Sequence, residues 1–129
     1  MKHILAASCL CVFVMFGCAS KSAAQIEKEV RQELGAYTKP SVEKLYAKVL
    51  NDEEMGALNH CIADDLARNL TQEEKLFLVG NPIEKAQHAE KAGPSLNKKT
   101  MPNSPEMKRA FGDCSIALGI AKIIDQAKK

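Results

Sequence analysis

The chain has 129 residues, 46% apolar and 26% charged, proportions that support one folded core and exclude global disorder. Its formal charge is only +2 with the two signs interleaved, and it contains no Trp, two Tyr and four Phe. Nucleic-acid binding, which needs a concentrated basic face with stacking aromatics, is therefore excluded.

Lys2 opens the chain with one positive charge, and Ile4 to Phe16 then runs without a charge or a strong helix breaker. Gly17 and Ala19 flank Cys18. The apolar run is too short for an ordinary transmembrane helix, and the small residues after it match a cleaved export signal. The segment Met15-Phe16-Gly17-Cys18 resembles the lipobox of bacterial lipoproteins. That resemblance implies a signal peptide over residues 1–17 and lipidation of Cys18 as the mature N-terminus. It also implies an outer-membrane lipoprotein facing the periplasm, because Ala19 and Ser20 stand where an Asp would often signal inner-membrane retention. Removing residues 1–17 leaves 112 of the 129, enough for one domain and too few for two.

Cys9 and Cys11 leave with the leader, and lipidation consumes Cys18, so Cys61 and Cys114 remain alone in an oxidising compartment. A disulfide between them is the expectation, with two separate buried thiols as the alternative. Cleavage after Ser20 or Ala24 leaves the same two cysteines.

Residues 18–24 read as a small, polar tether, and residues 25–129 as a single helical domain. From Gln25 the stripe Ile26, Val30, Leu34 and Tyr37 predicts a helix, with Glu27 and Arg31 placed to pair one turn apart. Pro40 predicts its end, and Ser41 caps a second helix carrying Val42, Leu45, Tyr46 and Val49. Asn51 with Glu54 forms a capping box for a helix from Asp52 to about Leu70. Its stripe is Met55, Leu58, Ile62, Leu66 and Leu70, and Cys61 lies at the edge of that stripe. Thr71 with Glu74 opens a short helix through Val79, which Gly80-Asn81-Pro82 ends.

Pro82 starts a surface helix over Ile83 to Ala92, thin on its apolar side. Gly93 to Asn103, with two prolines, reads as the longest loop. Ser104 caps the last helix, with Pro105 and Glu106 in its first turn. Met107, Phe111, Cys114, Leu118 and Ala121 form its stripe. Ile116, Ile120, Ile123 and Ile124 clothe the other faces, so Ser115 to Ile124 is expected to run through the core. Gly112 and Gly119, two turns apart, are either a close-packing site or merely tolerated. No segment alternates with a two-residue period. The fold predicted is all-α, a small bundle of five or six helices around the helix of Cys114.

Chemistry is sparse. His60 and Cys61 are neighbours on a helix and point about 100° apart, so they make no thiol–imidazole pair. His60 with Asp64, and Glu84 with His88, stand one turn apart at metal-sharing distance, but each offers two ligands and no third. The acidic doublets Glu53-Glu54, Asp64-Asp65 and Glu73-Glu74 diverge on a helix, and capping explains two of them. No nucleophile elbow, phosphate loop or dinucleotide fingerprint is present. No catalytic residue, metal or cofactor is assigned. The expectation is a lipid-anchored, non-enzymatic accessory protein of the bacterial envelope that binds a protein partner. The alternative is a periplasmic small-ligand-binding helical protein.

Overall fold

A computed structural model describes residues 21–128; Cys18 and the leader lie outside the described residues. Six helices follow one another: α1 Ala23–Tyr46, α2 Asp52–Arg68, α3 Gln72–Val79, α4 Pro82–Thr100, α5 Pro105–Ala117 and α6 Ile120–Ala127. No strand forms among the described residues. Each of the first five helices starts on a polar cap whose side chain accepts a backbone N–H: Ser22, Asn51, Thr71, Asn81 and Ser104. Asn51 with Glu54, Thr71 with Glu74 and Asn81 with Glu84 are reciprocal capping boxes. Such a cap is worth about 1 kcal/mol, which matters most for α3, only eight residues long.

The helices form a closed ring: α1 packs on α2 and α3, α3 on α4, α4 on α5, and α5 back on α2, while α6 folds against α5. Val30, Leu34 and Val42 from α1 meet Leu58, Ile62 and Leu66 from α2 in the core, with Val79, Leu96, Met107, Ala110 and Ile120 completing it. Cys61 of α2 and Cys114 of α5 are joined by a disulfide with a Cα–Cα distance of 5.8 Å, spanning 53 residues of sequence.

Five expectations are corrected. Pro40 does not divide α1; the helix continues through it to Tyr46. Thr38 and Val42, buried on either side of Pro40, hold the helix to the core, and the proline itself is exposed, where water can serve the carbonyl deprived of its N–H donor. The same reasoning applies to Gly93–Asn103. It is mostly helix, because α4 runs through the exposed Pro94 to Thr100, anchored by buried Ala92 and Leu96. Ser115 to Ile124 is not one core helix: Gly119, at φ +66°, breaks it, and Ile116 and Leu118 are exposed. Glycine is the residue suited to that left-handed conformation, whereas Gly112 has open space around its Cα. Glu27 and Arg31 do not pair with each other. Glu27 takes Lys75 of α3 (2.6 Å) and Arg31 takes Asp64 of α2, stitching α1 to both ring neighbours. Residues 22–24, expected to lie in a tether, belong instead to α1 and its cap.

In the chain-entropy model a loop of this length gives the disulfide about 4 kcal/mol. The double substitution Cys61→Ser/Cys114→Ser is expected to lower unfolding free energy by that order in urea denaturation. An unchanged midpoint would show that packing alone closes the α2–α5 seam.

Candidate functional site

The α1 and α5 helices are not packed on each other in the ring, and the gap between them is a half-open groove of about 370 Å³. Thr38 and Met107 form buried parts of its lining, and the half-buried Tyr46 and Phe111 add two aromatic rings. At the edge stand Tyr37 and Leu45, both more than half exposed, with Pro102 from the turn after α4. Ser41 and Lys108 bring a hydroxyl and a positive charge.

The polar groups beneath the groove are satisfied internally. The Thr38 hydroxyl lies 3.0 Å from the Leu34 carbonyl and 2.6 Å from Asn59 Oδ1, while Asn59 Nδ2 donates to the Gly35 carbonyl (2.9 Å). This cluster bridges α1 to α2 one turn before Pro40. The Tyr37 hydroxyl donates to the Thr100 carbonyl (2.9 Å) and ties α1 to the end of α4. The groove thus offers mainly apolar and aromatic surface, the kind that receives a hydrophobic side chain or a small apolar molecule. A second depression of about 390 Å³ lies between α1 and α2 and is lined by Lys39, Glu43 and Asp52 beside Val42 and Met55. Its mixed charges and the ion pair of Lys39 with Glu43 suit it to water.

The histidines and carboxylates singled out in the sequence are scattered or occupied. His60 is exposed, and Asp64 is shared by Arg31 and Arg68. The Glu84 carboxylate accepts the Asn81 N–H (3.0 Å), so it is held away from a metal shared with His88. Among the described residues no group of three or more His, Cys, Asp or Glu is placed to hold a metal ion. No helix among them is long and apolar enough to cross a membrane.

One carboxylate stands apart. Glu74 is buried, with Lys99 Nζ 2.6 Å from Oε1, the Ser95 hydroxyl 2.8 Å from Oε2 and the Thr71 N–H donating at 2.8 Å. Lys99 also donates to the Asn69 carbonyl (3.0 Å). Burial alone would raise the Glu74 pKa, but the bonds from Lys99, Thr71 and Ser95 together hold it below the ordinary 4.5. Its cap role is readable from Thr71; its ion pair is not, because the partner lies on the part of α4 expected to be a loop. Every polar neighbour of this carboxylate is a structural bond, so the group locks α3 against α4.

No family model, curated protein or solved structure matches the chain.

Because the folded pKa of Glu74 is depressed, its stabilising contribution is present above the unfolded pKa and is lost as pH falls below about 4.5. Glu74→Gln is expected to destabilise the domain at pH 7 and to flatten the acid limb of its stability profile. Lys99→Met, which strands a buried charge, is expected to cost about 3 kcal/mol. Urea titrations across that pH range check both, and an acid limb identical to that of the unsubstituted protein would remove Glu74 as its source.

Proposed function

We propose that this protein is a small, exported, lipid-anchored module of the bacterial envelope, facing the periplasm from the outer membrane, and that it acts by binding a protein partner rather than by catalysis. The observation that carries the interaction is the groove between α1 and α5. Tyr37, Leu45, Tyr46, Met107 and Phe111 gather large apolar and aromatic surface there, and Tyr37 and Leu45 leave much of it open to solvent. Aromatic residues and methionine are the types enriched where proteins meet. Support for the export reading comes from the leader and from a disulfide that persists in an oxidising compartment. Support for a non-catalytic role comes from where the reactive groups go: Cys61 is spent in the disulfide, and Asp64, Glu74 and Glu84 are held by structural partners.

The second reading, a periplasmic carrier of a small apolar ligand, draws on the same groove, whose volume lies within the usual range of ligand sites. Its partial openness favours a partner's side chain over a fully enclosed molecule.

A photo-crosslinking residue at Leu45 or Lys108, with the protein at its native level in intact cells, is expected to give a discrete protein adduct. Ser41→Trp, which fills the groove, is expected to abolish it. Absence of adducts at both positions would contradict the partner reading, and a copurifying small molecule in native mass spectrometry would favour the carrier.

A further inference from the structure

We infer that one pole of the domain, formed by Lys21, the α3–α4 turn and Ile83, seats on the lipid surface, so that the groove is presented at the far end of α1. The inference rests on the proposed lipidation of Cys18 and goes beyond it by giving the domain an orientation.

Lys21 is fixed to the folded domain: its ammonium donates to the Val79 carbonyl (2.8 Å) and pairs with Glu29 (2.9 Å). Cys18 is three residues earlier, so an acyl chain on it attaches within about 11 Å of Lys21 even at full extension. The anchor therefore reaches the membrane next to the end of α3. The turn after Val79 leads directly into Pro82 and Ile83, both exposed, and Ile83 is 66% exposed.

An isolated exposed isoleucine is ordinary on a protein surface; what distinguishes Ile83 is its place, four residues beyond the carbonyl that holds Lys21. The local charges are compatible with headgroups. Lys85 is exposed two residues beyond Ile83 in the first turn of α4, and the acid between them in sequence, Glu84, has its carboxylate engaged by the Asn81 N–H. Lys28 is exposed on the second turn of α1, and among the described residues neither it nor Lys85 is in an ion pair, which leaves both available to anionic lipid.

Leu45 marks the other pole. It lies 22 residues beyond Ala23 in the same helix, which at 1.5 Å per residue is about 33 Å away. Leu45 is 64% exposed and lines the groove. With Ile83 in the interface, the groove opens toward the aqueous space on the side remote from the bilayer.

Since the chain contains no Trp, single reporters can be placed at Ile83→Trp and Leu45→Trp. The full chain is expressed in a bacterial host, extracted from membranes, checked for the acyl mass and reconstituted into phosphatidylglycerol-containing vesicles with brominated acyl chains. Emission from Ile83→Trp is expected to be blue-shifted and quenched at least threefold more than that of Leu45→Trp. Lys85→Trp reads the same pole should Trp at position 83 disturb α4. Equal quenching at the two poles in acylated protein would overturn the orientation while leaving the anchor intact. Protein recovered without an acyl group would overturn the anchor and the orientation together.

Discussion

The bond between Cys61 and Cys114 is the constraint on which this small domain depends. A ring of helices has as many seams as helices, and four of the five here join elements close in sequence or are stitched by ion pairs and hydrogen bonds. The α2–α5 seam joins residues 53 apart in sequence and therefore carries a large entropic cost when left to packing alone. Placing the covalent link at that seam removes the cost from the unfolded side of the equilibrium, where a domain of about a hundred residues has little stability to spare. A seam closed in this way makes the fold answerable to its surroundings, because the bond is stable only where thiols are oxidised.

Two polar arrangements, each with one buried member, hold two of the other seams in the folded state. Glu74 and Lys99 fix the register of α3 on α4, and Thr38 with Asn59 fixes α1 on α2. Each satisfies its own donors and acceptors, so burial is tolerated, and each would be costly to separate. With those registers set, α1 extends past the ring in a direction that leaves its final turns beside α5 without packing on it. The groove is a consequence of that geometry. Its apolar side chains are exposed because no sixth helix covers them; α6 turns instead against α5, redirected at Gly119.

Much of this was legible from local chemistry. The caps at Asn51, Thr71 and Ser104, the stripes of α1 and α2, the start of α4 at Pro82, and the pairing of the last two cysteines all follow from rules that act within a few residues or from counting thiols. Pro40, Pro94 and Gly119 depart from the sequence expectation for one shared reason. A breaker's effect depends on which face it occupies: both prolines point to solvent between buried residues, so packing outweighs a cost of about 3 kcal/mol, whereas Gly119 lies where little packing resists a turn. The groove is out of reach of local rules because it joins residues 37–46 to residues 100–111, far apart in sequence, and the first part of the second stretch reads as a loop.

On the proposed export, the chain matures in an oxidising compartment and the disulfide holds its ring closed there. Thiol trapping tests it most directly: cells carrying the full chain are quenched in acid, alkylated in denaturant, and the protein is analysed before and after reduction. Cys61 and Cys114 of the processed protein are expected to resist alkylation until reduced, and both are expected to react in a chain lacking residues 1–17 and retained inside the cell. Free thiols at both positions in the mature, natively expressed protein would contradict it.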